Sequence, residues 1–109
     1  MDQSQFEQAA DSLLEDLMDR IDDALGDQMD VDLEGGILTI ELDTGGQYVI
    51  NKHGPNRQVW MSSPKSGATH YDFDGAAGVW ACTRTGASLT EVLAGELASA
   101  SGRAFDLNG

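Results

Sequence analysis

A strand, a turn and a second strand are predicted by the stretch YVINKHGPNRQVWMSSP, residues 48–64. Side chains of a strand alternate between the two faces of its sheet, so Val59 and Met61 share one face and Trp60 points to the other. If the apolar pair faces a core, the indole lies among polar groups on an open sheet face. A Trp in such a setting is a common anchor for a partner protein.

Similar segments continue on both sides of this hairpin. Apolar and polar residues alternate in short runs that are separated by turn residues, which predicts an antiparallel meander of six strands. In the fifth strand Tyr71 and Phe73 are expected to point inward, and in the sixth Trp80 is expected to join the core. The predicted strands cover residues 29–34, 38–42, 47–52, 57–62, 69–74 and 79–83.

A helix is predicted at each end of the meander. Ser4 and Glu7 match a capping box, and apolar residues at helical spacing extend the first helix from about residue 5 to residue 25. Ser88 and Glu91 match a second capping box, and Gly102 is the expected end of that helix. The apolar stripe of the second helix is Leu89, Val92, Leu93, Leu97 and Ala100.

Two amphipathic helices that flank a meander can cover one face of its sheet and leave the other open to water. The sequence therefore predicts an α+β fold, a two-layer α/β sandwich of helix, six-stranded antiparallel sheet and helix, with both helices on one face of the sheet. The chain has 109 residues, 40% of them hydrophobic, which suits one core and a single domain over residues 1–109.

The net charge is −13 at pH 7, which argues against nucleic acid or an anionic membrane as partner. Metal cations or a basic protein are favoured instead. Cys82 is the only cysteine, so an internal disulfide is excluded and a reducing compartment is expected. The N-terminus has neither a signal-peptide pattern nor an Arg-rich transit pattern, so we expect a bacterial cytosol, with a processed organellar chain as the alternative.

Acidic residues crowd the first 34 positions, where Arg20 is the only basic residue. Asp11, Glu15, Asp19 and Asp22 are spaced to share one helix face, although like charges at this spacing destabilise a helix by a few tenths of a kcal/mol per pair. That penalty suggests a use, either binding a hard cation through carboxylate oxygens or docking on a basic protein surface. A solvated face that only keeps the protein soluble is the third reading. Without His or Cys in the cluster, weak binding at several points is expected rather than a closed transition-metal site.

Residues 30–41 nearly match a calcium-binding EF-hand loop, with acids at loop positions 1, 3, 5 and 12 and Gly at position 6. The context contradicts that match, because the segment from Leu38 to Leu42 alternates as a strand where an EF-hand needs a helix. We therefore expect no EF-hand.

The two histidines are interpreted as surface residues that are not at metal-ligand spacing: His53 in the turn before Pro55, and His70 on the fifth strand. Cys82 has no CxxC partner and is expected to be a small buried residue. The sequence contains no nucleophile-elbow, phosphate-loop or dinucleotide motif.

Nearly the whole chain, roughly residues 5–100, resembles the frataxin family. The acidic helix and strand contribute to the resemblance, and the central segment makes it specific. The matching motifs are GILTI (36–40), YVINK (48–52), PNRQVWMSSP (55–64), SG (66–67), HYD (70–72) and SLTEVL (88–93).

The resemblance implies a role in iron–sulfur cluster assembly. It implies weak binding of iron, as Fe2+ or Fe3+, on the acidic helix and strand, where other divalent cations can substitute. The implied partners are a cysteine desulfurase and an iron–sulfur scaffold protein. The implied metal residues are Asp11, Glu15, Asp19, Asp22, Asp23, Asp27 and Asp30, and the implied partner-binding residues are Asn51, Gln58, Trp60 and His70.

We accordingly expect a non-enzymatic adaptor that regulates sulfur transfer or iron delivery, monomeric but able to form iron-dependent oligomers. An iron-storage protein with ferroxidase activity is the alternative. A plain acidic binding module without a metal role is a third hypothesis.

Overall fold

A computed structural model of the protein describes residues 1–107. Its six strands form one sheet in the order β1-β2-β3-β4-β5-β6, and every neighbouring pair is antiparallel. The predicted α+β sandwich is confirmed, with strand ends displaced by one or two residues. The elements are α1 (Gln3–Leu25), β1 (Met29–Glu34), β2 (Ile37–Leu42), β3 (Gln47–His53), β4 (Gln58–Ser63), β5 (Gly67–Asp74), β6 (Val79–Cys82) and α2 (Leu89–Ser101).

The core lies between the two helices and the sheet face that they cover. Alternate strand residues point into it, and Tyr71 is fully buried, whereas Phe73 is half-buried. Trp80 packs edge-on against Phe6 of α1, with ring centroids 6.0 Å apart, and is 6% exposed as predicted for a core residue. Cys82, at the end of β6, is also buried as predicted.

The first helix begins earlier than its sequence pattern predicts. Its N-cap is Asp2 and not Ser4, because the Asp2 carboxylate accepts the N–H of Gln5 at 2.8 Å and the Gln5 amide oxygen accepts the N–H of Asp2 at 3.0 Å. Arg57, in the turn between β3 and β4, donates to the carbonyl of Met1. This contact from a distant turn holds the start of the chain against the domain and favours the earlier cap.

The second helix has the predicted ends. The hydroxyl of Ser88 accepts the N–H of Glu91 at 3.1 Å, and Gly102 adopts the left-handed conformation that ends many helices. Ala100 was predicted on the apolar stripe, but it is exposed because the helix turns it away from the sheet. Within residues 1–107 neither helix combines the length and the apolar character needed to cross a membrane.

The rejection of an EF-hand is confirmed. Residues Gly35 and Gly36 form a tight turn with φ of 60° and 77°, a conformation that glycine adopts at little cost. The chain then continues as β2, which pairs with β1 along its whole length. No exiting helix follows the acidic loop.

A polar network fastens α2 to the sheet. The carboxylate of Glu96 accepts hydrogen bonds from the hydroxyls of Tyr48 (2.9 Å), Ser63 (2.6 Å) and Ser66 (2.7 Å). Burial raises the pKa of Glu96, but these donated hydrogen bonds outweigh it, so the net pKa lies below its usual value. Burial, together with the Glu96 carboxylate, raises the pKa of Tyr48 to about 12.

Candidate cation ridge and docking face

The acidic ridge consists of carboxylates whose side chains are all exposed. Five of them project from α1, the sixth follows the end of that helix, and the seventh lies on β1. A carboxylate oxygen suits a hard cation, so the ridge has the donor chemistry that was predicted for iron or another divalent ion. The residues are Asp11, Glu15, Asp19, Asp22, Asp23, Asp27 and Asp30.

One end of the ridge already holds a cationic side chain. The ammonium nitrogen of Lys52 lies 2.9 Å from Asp11 and 4.0 Å from Glu7. Strand alternation explains this contact, because Lys52 follows Asn51 on β3 and points to the face that α1 covers. The ion pair is partly exposed, so its contribution to stability is on the order of 0.2–1 kcal/mol.

Asp27, which follows the end of α1, is neutralised by the segment after α2. The guanidinium of Arg103 binds Asp27 with two hydrogen bonds, of 2.6 and 2.9 Å, and also donates to the carbonyl of Ala24 at 3.1 Å. The two hydrogen bonds from Arg103 to Asp27 hold the pKa of this carboxylate below its usual range. A metal ion at Asp27 would therefore compete with a built-in cation.

The middle of the ridge has a different character. In the described chain, no Lys or Arg lies within ion-pair distance of Glu15, Asp19, Asp22 or Asp23. Over residues 1–107, no three His, Cys, Asp or Glu side chains form a group that could hold a metal ion. The ridge thus offers separate carboxylate contacts, which suit a weakly held, exchangeable cation.

On the other face of the sheet, three aromatic rings form what we call the three-ring stack: His53, Trp60 and His70. The imidazole of His53 lies on one side of the indole, with ring centroids 3.7 Å apart and planes 8° from parallel. The imidazole of His70 lies on the opposite side at 4.2 Å and 12°. Both faces of Trp60 are therefore covered.

Sheet register produces this arrangement. Trp60 on β4 is directly opposite His70 on β5 and, on its other side, directly opposite Asn51 on β3. His53 lies two residues beyond Asn51, at the diagonal position that an aromatic side chain can reach across a strand pair. The amide of Asn51 donates to the carbonyl of Lys52 at 3.2 Å.

A chain of two hydrogen bonds fixes the orientation of the indole between the two imidazoles. Asp72 accepts from the amide of Gln58 at 3.0 Å, and the oxygen of the same amide accepts from the indole N–H of Trp60 at 2.9 Å. Gln58 therefore acts within the domain as an orienting residue for Trp60. Asp72 was missed in the sequence, because its link to Trp60 depends on which residues the register places side by side.

The sequence prediction for His53 was wrong in its details. His53 is the last residue of β3 and half-buried, not a turn residue with a freely exposed ring. Its Nδ1 atom is shielded from solvent and has no hydrogen-bond partner in the described structure, which costs about 1–3 kcal/mol for an ordinary polar group. Trp60 points away from the helices as predicted, but it too is half-buried.

Comparison with known proteins finds similarity to one family. The model of the frataxin-like domain family matches residues 1–103. The chain is 42% identical over 96 residues to the mitochondrial frataxin of Arabidopsis thaliana, covering 88% of this chain and 51% of that protein. It is 39% identical over 85 residues to the iron–sulfur cluster assembly protein CyaY of Azotobacter vinelandii, covering 75% and 76%. The chain thus spans about half the length of the plant relative.

Solved structures share the architecture. The frataxin of Psychromonas ingrahamii superposes over the whole of both chains with a TM-score of 0.88 and 28% sequence identity. The trimeric frataxin of the yeast Saccharomyces cerevisiae, solved in complex with ferrous iron, gives a TM-score of 0.76 at 37% identity over 87% of each chain.

Proposed function

This chain belongs to the frataxin family, and from that premise we propose that it serves in iron–sulfur cluster assembly as an iron-binding adaptor. In this proposal it docks on a cysteine desulfurase and on the scaffold protein, and it modulates sulfur transfer or iron delivery. The observation that carries the proposal is that one small domain presents both an exposed acidic ridge and, on the open face of its sheet, the preassembled three-ring stack. The bacterial CyaY relatives support a bacterial cytosol as its location, and the mitochondrial relatives keep a processed organellar chain as the alternative.

We assign two tasks to the acidic ridge. Its negative field steers the domain toward a basic surface on the desulfurase, where electrostatic complementarity speeds association. Its middle carboxylates hold iron as exchangeable cargo, since they have no built-in cation to displace. The yeast relative that was solved with ferrous iron supports iron as the ion.

The docking of the scaffold protein is assigned to the three-ring stack and its neighbours Asn51 and Gln58. Aromatic side chains that are rigidly held at the centre of an interface contribute most of its binding energy. The surface lies on β3, β4 and β5, the centre of the sheet, so it is well fixed before the partner arrives.

The first test is sulfide release by a purified cysteine desulfurase with its scaffold protein, measured with and without this chain. We expect the wild-type chain to change the rate and the Trp60→Ala variant to lose most of that change. Ser62→Ala is the matched control, because Ser62 is exposed on the same strand and the same sheet face. The docking proposal fails if a folded Trp60→Ala variant acts like the wild type.

The ridge is tested separately with Asp22→Asn/Asp23→Asn. The control is Asp43→Asn/Glu91→Gln, which removes the same charge from exposed positions outside the ridge. Weaker binding of the desulfurase and of ferrous iron in the ridge variant alone would support the two tasks. Equal losses of binding in both variants would show that the ridge acts only through the net charge of the domain.

Storage with ferroxidase activity is the competing function, and the trimeric state of the yeast relative gives it some support. The separated carboxylates argue against it, since no described group of three could bind iron in a closed site. Oxygen consumption on addition of ferrous iron distinguishes the two functions, because an adaptor that only holds iron consumes oxygen no faster than buffer.

A further inference from the structure

We propose that His53 is a positioning residue of the docking surface assigned above, and that it closes one face of the Trp60 indole so that the scaffold protein meets the outer edge of the indole instead of an open indole face. The inference rests on the docking function proposed above. It adds to that function the geometry by which the partner must make contact.

The first step is that neither indole face is open. His53 and His70 lie nearly parallel to Trp60 on its two sides, at centroid distances of 3.7 and 4.2 Å. The indole N–H is also occupied, because it donates to Gln58. A flat partner side chain therefore has no indole face on which to stack, and what remains available is the outer edge of the indole.

The second step concerns why His53 occupies its position. Its Nδ1 is shielded from solvent and lacks a hydrogen-bond partner in the described structure, a rare condition for a polar atom in a folded protein. The fold therefore makes no use of that nitrogen. What it does use is the flat surface of the ring, which lies against Trp60, so a ring without nitrogen should perform the same task.

The third step is energetic. Trp60 is held on both faces and at its N–H, an arrangement that we call the clamp. A side chain held in this way loses little freedom on binding, so less of the interface energy is spent on ordering it. If the clamp is removed on the His53 side, the indole gains freedom and exposes an apolar face. Docking should then become weaker even though Trp60 itself is unchanged.

The experiment compares His53→Leu, which removes the aromatic ring, with His53→Phe, which keeps a flat ring and removes both ring nitrogens, the shielded Nδ1 among them. Affinity for the purified desulfurase–scaffold complex is measured by titration calorimetry. We expect His53→Phe to bind within about twofold of the wild type, and His53→Leu to bind about threefold to tenfold more weakly, the range that one aromatic pair contributes. The melting temperature of His53→Phe should equal or exceed that of the wild type.

A second measurement reports on position and not on stability. In a Trp80→Phe background, Trp60 is the only Trp, so its fluorescence anisotropy and its quenching by acrylamide follow this one side chain. We expect His53→Leu to make Trp60 more mobile and more accessible, and His53→Phe to leave both values unchanged.

Three results would overturn the inference. Equal affinity of His53→Leu and the wild type would show that the clamp is irrelevant to docking. Equal weakening of His53→Leu and His53→Phe would show that the partner contacts the imidazole itself. Unchanged anisotropy in His53→Leu would show that Trp60 does not need the clamp. If Trp60→Ala also binds normally, the proposed docking function fails as a whole. If Trp60→Ala weakens binding and neither His53 variant does, the docking function stands and only the role given to His53 is wrong.

Discussion

The ammonium of Lys52 lies 2.9 Å from the carboxylate of Asp11 and therefore places a built-in cation at one end of the acidic ridge. Arg103 does the same for Asp27, just beyond α1. The ridge is thus graded in charge. In the described structure, ion pairs neutralise Asp11 and Asp27, and the remaining ridge carboxylates, Glu15, Asp19, Asp22, Asp23 and Asp30, have none.

This gradation predicts the order in which a divalent cation meets the ridge. In a titration followed by NMR, the signals of Glu15, Asp19, Asp22 and Asp23 should shift at lower cation concentration than those of Asp11 and Asp27. The reason is that a cation must displace Lys52 from Asp11 or Arg103 from Asp27. Simultaneous shifts at all of these positions would contradict the gradation.

Removing one built-in cation should make the stability of the domain respond more strongly to an added divalent cation. In Lys52→Gln, Asp11 loses its partner, and we expect the free energy of unfolding to fall by about 0.5 kcal/mol at low salt. The variant should also gain more in melting temperature than the wild type when a divalent cation is added. Arg20→Gln is the control, since Arg20 pairs with Asp16, which lies outside the ridge set.

Cations that relieve the repulsion along the ridge should stabilise the fold by binding to the native state. We expect divalent ions to raise the melting temperature more than sodium at equal ionic strength, in thermal unfolding followed by circular dichroism. If both kinds of ion have the same effect, screening explains the stabilisation and no binding to the ridge is needed.

The Glu96 network predicts that the free energy of unfolding falls at acid pH. The folded-state pKa of Glu96 is lowered, so the stabilisation is fully present above the ordinary value of 4.5 and is lost as pH falls through the folded pKa. Glu96→Gln should therefore be less stable than the wild type at neutral pH, by about 1–2 kcal/mol, with the difference shrinking below pH 4.5. Urea unfolding across this pH range measures the difference. A constant difference at all pH values would exclude the ionised carboxylate as its source.

The same network predicts that the free energy of unfolding also falls at alkaline pH. The pKa of Tyr48 rises from 10.0 to about 12 on folding, so its contribution is present below pH 10 and is lost as pH increases from 10 to about 12. In Tyr48→Phe the fall of stability over that interval should be smaller than in the wild type. Ultraviolet absorbance of phenolate checks the premise, because the folded wild type should show little ionised Tyr at pH 10.

The sequence patterns were sufficient for the fold, because period-2 alternation and turn residues fix where a strand lies and which face is buried. They were insufficient at Ser4, where two overlapping capping boxes fit the sequence and a contact from Arg57 favours the one at Asp2. They also missed His53 and Asp72 as partners of Trp60, whereas the family resemblance had implied a shared surface for Trp60 and His70. His53, His70 and Asp72 surround it only through strand register, which depends on pairings that no single segment determines.

Lys52 was missed in the same way. Its position on β3 follows from alternation, but its reach to Asp11 depends on how α1 lies across the sheet. Charges that are distant in sequence come together only when the two layers pack.

Strand β1 is an edge of the sheet, and its side chains Asp30, Asp32 and Glu34 are exposed. An exposed edge strand invites pairing with a strand of another copy, and like charges along it keep copies apart. The carboxylates of this strand are therefore also a safeguard against aggregation. Any cargo that neutralises them weakens this safeguard, so self-association in this domain should increase with the amount of cation it carries.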